Sequence, residues 1–352
     1  MAKTILGIDI GHDQLKLALV RGERVLKTAS AQMPENLLRD GHIASRESMA
    51  DLLRTTMKEN GIRAGRAAFV LPSETVFIKN ITMPLMTVEQ LEYNLPFEFN
   101  DYITGELKDY VFDYAVISNP EAGDAAGAKA GAAPAAEAGA EAEPEPPETT
   151  MELMAVGTTR EVLEDAQAIT RKAGLRLMIT APAVSAYIAL LRARRNELGI
   201  PSEEYAILDL GYKEIRMYMF KGDKHVATRV LEIGMSSLDG VVEEAFGVDM
   251  HLAHTYLMTN YENCLYREEC MAAYENIAVE LMRALNFYRF SNPNSTLGDM
   301  WFCGGGAVIQ PLAMTIGDML NIQLHSADEL VYDGETIEEC NSYVQAIGIA
   351  MG

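Results

Sequence analysis

Residues 8–24 read IDIGHDQLKLALVRGER, and residues 208–224 read LDLGYKEIRMYMFKGDK. The two stretches align without a gap at a spacing of 200 residues: Asp9 falls on Asp209, Gly11 on Gly211, Lys16 on Arg216 and Gly22 on Gly222. Leu15, Leu17 and Leu19 fall on Ile215, Met217 and Met219, the every-second-residue spacing that lines one buried face of a sheet. Each copy predicts a strand, a tight turn, a second strand, a hairpin and a third strand. The hairpin turns agree in kind, Arg21-Gly22-Glu23-Arg24 and Lys221-Gly222-Asp223-Lys224. A duplication of this sort predicts two similarly folded lobes, each opened by a β-hairpin sheet, with a cleft between them.

The rest of the chain is consistent with that frame. Its 352 residues suffice for two domains, each with its own core. Hydrophobic residues make up 49% of the chain, yet no apolar run approaches the roughly 18 to 20 residues of a membrane span. The opening MAKTILGIDIGHDQ reaches Asp9 too early for a secretory signal, so a cytoplasmic protein is expected. A formal charge of −22 argues against a non-specific grip on nucleic acid or anionic lipid. Cys264, Cys270, Cys303 and Cys340 lack close CxxC pairing and read as reduced, packed residues. His251 and His254, three apart, lack the further ligands of a metal site, and GxSxG is absent. The C-terminal AIGIAMG is no basic amphipathic helix, so no direct membrane insertion is expected.

Residues 120–147 are almost wholly Ala, Gly, Glu and Pro, a composition that cannot offset the entropy of ordering. The flanks, DYVFDYAVIS and MELMAVGTT, read as strands, which makes the insert an overlong hairpin loop. Ser45 and Gly61 bracket a helix, Pro72 and Pro84 end two strands, and Thr87 caps a helix that Pro96 kinks. REVLEDAQAITRKAG is a further helix ending at Gly174, and a helical pair follows the second repeat.

The recurring Asp and Gly have a chemical reading. Glycine lets the backbone approach a phosphate, and an Asp at a strand end can hold a hydrated magnesium ion. Two such turns facing each other would clamp a polyphosphate. Gly304-Gly305-Gly306, after the apolar strand MWFC, suits the ribose and adenine side.

LGIDIG with Lys16, ILDLG, and CGGGA resemble the two phosphate loops and the adenosine loop of the actin-like ATPase superfamily. LPSETVFIKNITMPLMTVEQLEYNLPFEFNDYI, then DYAVIS, REVLEDAQAITRKAGL and ITAPAVSAYIALL, look like the type IV pilus assembly PilM branch, related to FtsA. The resemblance covers nearly the whole chain outside the insert. It implies an α/β, two-lobed, ribonuclease H-like duplicated fold with a strand-helix-strand-strand subdomain inserted in the first lobe. The expected divisions are 1–75 with 176–200 for the first lobe and 76–175 for the subdomain, its disordered loop at 120–148. The second lobe is expected at 201–247 with 299–352, and its helical part at 248–298. ATP would lie against Asp9, Gly11, Lys16, Asp209, Gly211, Gly304, Gly305 and Gly306, with Asp9 and Asp209 organising magnesium. The resemblance further implies a member of the pilus inner-membrane platform, recruited to the inner face of the cell membrane. Its partners would be the N-terminal cytoplasmic tail of a PilN-like membrane protein and other platform proteins. Tyr93, Phe97 and Phe99 are candidates for the tail's groove, and equally for the subdomain core.

The sequence departs from the superfamily pattern around the cleft. Asp13 places a carboxylate beside the first phosphate turn, and Tyr212 places bulk beside the second. Met235 stands where a second glycine is usual, and His254 and Leu257 replace the polar pair flanking adenine. The expectation is a binding scaffold with a degenerate nucleotide cleft and no catalytic residue. The alternatives are an active Mg-ATP switch of the same machine and, further off, an FtsA-like division protein or an actin-fold sugar kinase.

Overall fold

The computed structural model describes residues 3–39, 41–118, 150–198, 204–222, 224–331 and 340–352. The insert at 120–148 and the turn residue Asp223 lie outside the described residues. The chain divides into two compact units, Met1–Thr75 with Val162–Gly352, and Val76–Glu161.

The first unit holds both repeats. β1 (Thr4–Ile10), β2 (Gln14–Arg21) and β3 (Arg24–Gln32) form an antiparallel meander. A small hairpin of β4 (Leu38–Arg39) and β5 (His42–Ile43) leads to α1 (Arg46–Glu59). Ser45 caps α1 by accepting from the Ser48 amide, and the helix closes on Asn60, with Gly61 following at φ 58°. β6 (Arg66–Leu71) then pairs parallel to β1.

The second unit follows in sequence with β7 (Val76–Pro84), α2 (Val88–Asn94), β8 (Tyr110–Ser118) and β9 (Thr150–Thr159). It is the expected strand-helix-strand-strand unit. β9 lies between β7 and β8, antiparallel to both, so the strands flanking the insert are hairpin partners. Thr87 and Gln90 cap α2 reciprocally, and Pro96 turns the chain into a 3-10 stretch, Leu95–Phe99. Ile81, Met83, Leu91, Leu95, Phe99 and Leu153 make its core.

The chain re-enters the first unit through α3 (Arg160–Lys172), β10 (Arg176–Pro182) and α4 (Ala183–Leu198). Ala166 and Ile169 of α3 are buried with Leu6, Ile8 and Leu17 in the first lobe's core. The subdomain boundary therefore falls at Glu161, not at 175, because α3 packs with that lobe.

The second lobe repeats the plan. β11 (Glu204–Leu210), β12 (Ile215–Lys221) and β13 (Lys224–Leu231) form the meander, followed by α5 (Ser236–Phe246), α6 (Met250–Thr259) and α7 (Glu268–Ser291). β14 (Asp299–Cys303), α8 (Gln310–Leu320), β15 (Gln323–Ser326) and α9 (Val344–Met351) complete the chain. The sheets run β3-β2-β1-β6-β10 and β13-β12-β11-β14-β15, with the last two strands parallel to the first in each. The likeness reaches single residues. Register breaks between Leu19 and Val20 and again between Met219 and Phe220, and Gly22 and Gly222 take φ of 64° and 58°. A left-handed turn residue is therefore required at both hairpins.

One segment crosses between lobes. The expected division put all of 299–352 in the second lobe, whereas α9 packs on α4 and across β1, β2 and β6 of the first. Contact is backbone to backbone: a Cβ on Gly7 would collide with the Ala346 carbonyl, and one on Gly348 with that of Ala186. All four cysteines are buried, and no disulfide joins them. Among the described residues no helix is long and apolar enough to cross a membrane.

Gly7→Val should lower the unfolding free energy by about 3 kcal/mol, since overfilling a packed contact forces backbone shifts. Denaturant titration checks this; an unchanged midpoint would mean that α9 does not seat on β1.

Candidate functional site

The ends of β1 and β11 meet at a cavity of about 220 Å³ in the first unit. Asp9, Gly11, Lys16, Asp209, Gly211 and Gly305 line it. Gly304 and Gly306 stand behind that wall. A Cβ on Gly304 would meet the Asp209 carboxylate, and one on Gly306 would meet the Met235 sulfur, so Met235 fills the room beside the triple-glycine turn.

The strand register sets the electrostatics. Asp9 lies opposite Lys16, and Asp209 lies opposite Arg216. Burial pushes the Asp9 carboxyl up to about 6; Lys16 works against that rise, while Asp209 and Glu74 add to it. Burial also raises Asp209, opposed by Lys16, Arg216 and hydrogen bonds from Tyr187 and Gln345. The Gln345 amide donates to Asp209 Oδ2 at 2.7 Å and to the Tyr187 hydroxyl at 3.0 Å, so α9 reaches the cleft floor. Arg216 forms an ion pair with Glu214 and lies 3.8 Å from Glu74, which is itself 3.5 Å from His12 Nδ1.

A second cluster forms around Asp239. Asp239 is fully buried and hydrogen-bonds Tyr212 and His254, whose Nδ1 lies 3.0 Å from Asp239 Oδ2. His254 Nε2 lies 3.8 Å from Asp13, and Gln32 donates to Asp13 at 2.5 Å. Three residues noted as departures, Asp13, Tyr212 and His254, thus belong to one network. Leu257 is buried below it and lines the cavity. Sequence reasoning missed Asp239, Glu74, Glu214, Gln345 and Tyr187. Only Asp239 carried a signal, as an acid four residues after Met235, in the first turn of α5; the others arrive through tertiary packing. Among the described residues no group of three or more His, Cys, Asp or Glu side chains has the geometry of a metal site.

In the second unit Tyr93 is 73% exposed and Phe97 51%, their ring centroids 5.8 Å apart. Phe99 is fully buried against Phe112, so it is a core residue and not part of any groove. The 3-10 stretch after Pro96 turns Phe97 outward and Phe99 inward.

The sequence matches the family model of the type IV pilus assembly protein PilM over residues 7–133 and 140–351. The chain belongs to that PilM family. No curated protein matches it by sequence. This PilM-family chain is similar to a chain of the PilM-PilN type IV pilus biogenesis complex, with a TM-score of 0.79 at 22% identity, covering 99% of this chain and 97% of that one. It also resembles the ethanolamine utilization protein EutJ from Carboxydothermus hydrogenoformans, with a TM-score of 0.59 at 13% identity, over 100% and 89% of the two chains. At such identities the likeness is one of fold, the actin-like two-lobed fold described above.

The raised Asp9 carboxyl has a measurable cost. Because the folded state holds that proton more tightly, stability falls as pH climbs from 3.8 to about 6 and stays reduced above. Asp9→Asn should therefore stabilise the PilM-family chain near neutral pH by on the order of 1–3 kcal/mol, with the gain vanishing below about pH 4. Urea unfolding at the two pH values checks it; destabilisation at neutral pH would show that the Lys16 pairing dominates.

Proposed function

We propose that this chain is a scaffold of the type IV pilus assembly platform, or of a related secretion or competence machine, at the inner face of the cell membrane. It binds the N-terminal cytoplasmic tail of a PilN-like membrane protein, and its actin-like cleft has lost nucleotide chemistry. Membership of the pilus assembly family supports the setting, and the fold likeness to a chain of a PilM-PilN complex supports the partner.

One observation carries the scaffold reading: the strongest base of the second turn is already paired within the chain. Arg216 forms an ion pair with Glu214 with Glu74 close by, while Lys16 lies in the field of both Asp9 and Asp209. The cavity is lined by Asp9, Asp13, Glu74, Asp209 and Glu214 against Lys16, Lys213 and Arg216, five acids to three bases. A triphosphate would add negative charge to an acidic, partly enclosed space, a charge that magnesium held by Asp9 and Asp209 would offset only in part. Met235 meanwhile packs beside Gly306, in the turn that the family resemblance would assign to adenosine. The bases left for the phosphates are few, and on this reading the cleft is a poor cradle for a magnesium nucleotide even though Asp9 and Asp209 are suitable oxygen donors for the metal. Phosphoryl transfer depends on positioned charge, so no hydrolytic step follows from it.

Tyr93 and Phe97 are exposed large aromatics on the inserted unit, the residue type that anchors interfaces. Tyr93→Ala with Phe97→Ala should weaken binding of the partner's N-terminal tail peptide about tenfold or more, with the melting temperature unchanged. Undiminished affinity in a fluorescence anisotropy titration would move the partner site elsewhere.

A further inference from the structure

Asp13 and His254 belong to different lobes. Asp13 sits in the turn between β1 and β2, its carboxylate fixed by Gln32 at 2.5 Å and its carbonyl accepting the Met33 amide at 2.7 Å. His254 sits on α6, its Nδ1 edge against the buried Asp239 and its ring edge-on to Tyr212, centroids 5.9 Å apart. These three elements supply the groups that face the imidazole: Asp13 from the β1–β2 turn, Asp239 from α5 and Tyr212 from the β11–β12 turn. None of the facing groups is a cation.

That arrangement fixes the tautomer. A carboxylate only accepts, so Nδ1 must donate to Asp239, and the titrating position is Nε2, 3.8 Å from Asp13 Oδ1. In the neutral ring Nε2 presents a lone pair to that carboxylate, which repels it. In the charged ring Nε2 presents an N–H, which attracts it. We propose that His254 and Asp13 form a proton-operated latch between the lobes, closing the cleft when the imidazole is charged and releasing it when the imidazole is neutral. His251, three residues earlier on α6, lies 2.8 Å from Glu35 of the first lobe, a second contact between the same parts of the two lobes. That outer pair is exposed and yields to salt, whereas the inner one is shielded. Arg216 and Glu74, 3.8 Å apart, form a further pair across the same cleft.

The hydrogen bond to Asp239 holds the His254 pKa above the ordinary histidine value, with Asp13 adding to the rise and burial opposing it. Asp239 accompanies His254 whether the cleft is open or closed, so it sets the pH at which the latch works. Only Asp13's share couples to closure. The sign follows: closure is fully supported below the usual histidine range and is lost as pH rises through the raised value. Each pKa unit contributed by Asp13 would change the closed-to-open ratio about tenfold. The latch is independent of whether the cleft binds nucleotide.

The test uses the full chain labelled at Glu59→Cys on α1 and Met314→Cys on α8, both exposed, since the native cysteines are buried. Energy transfer between the labels is followed from about pH 6 to about pH 9, in salt high enough to screen His251–Glu35. The proposal expects transfer to fall with rising pH, and the step to disappear both in Asp13→Asn and in His254→Asn, which keeps an amide donor where Nδ1 stood. A step of unchanged size in either variant, or no step in the parent, overturns it.

Discussion

Two aspartates at the ends of equivalent strands face one poorly solvated cleft, and their charges must be answered from within the protein. Lys16 answers both. Because strand register places Lys16 opposite Asp9 and Arg216 opposite Asp209, the neutralising bases are fixed by the same hairpins that build each sheet. Tyr187 and Gln345 complete the solvation of Asp209, which ties α4 and α9 to the cleft floor. The approach of α9 to Gly7 is what allows Gln345 to reach there. Fold and cleft therefore depend on one set of buried charges, each costly if left unpaired.

The frame was legible because duplication writes the same pattern twice. Asp9 with Asp209, and the alternating leucines with their Ile and Met counterparts, specify the strands and their facing sides. The residue-level symmetry of the register breaks shows that the copies share backbone geometry as well as order. What stayed hidden depends on contacts distant in sequence. No local pattern reveals that α9 returns to the first lobe, because that depends on Gly7 and Gly348 meeting carbonyls over 300 and over 150 residues away. The same holds for Glu74, which enters the cleft from the end of the β6 segment.

The altered residues of the cleft were visible singly, while their cooperation was not. Asp13, Tyr212 and His254 each read as a local departure from a phosphate or adenine contact. In the fold Tyr212 and His254 hydrogen-bond one buried carboxylate, Asp239, and Asp13 faces His254 from the other lobe. Aromatic residues divided the other way. Tyr93, Phe97 and Phe99 form one run in sequence, but the 3-10 turn after Pro96 sends Phe99 into the core and leaves the other two outside.

The central claim is that the chain's own carboxylates compete with a nucleotide for the cations of the cleft, Arg216 first. Isothermal titration of the chain with magnesium and ATP tests this most directly. The account predicts no saturable heat up to about millimolar ligand, a floor near 4 kcal/mol of binding. Micromolar affinity that is abolished by Asp209→Ala would contradict it, because the cleft would then release Lys16 and Arg216 to a phosphate.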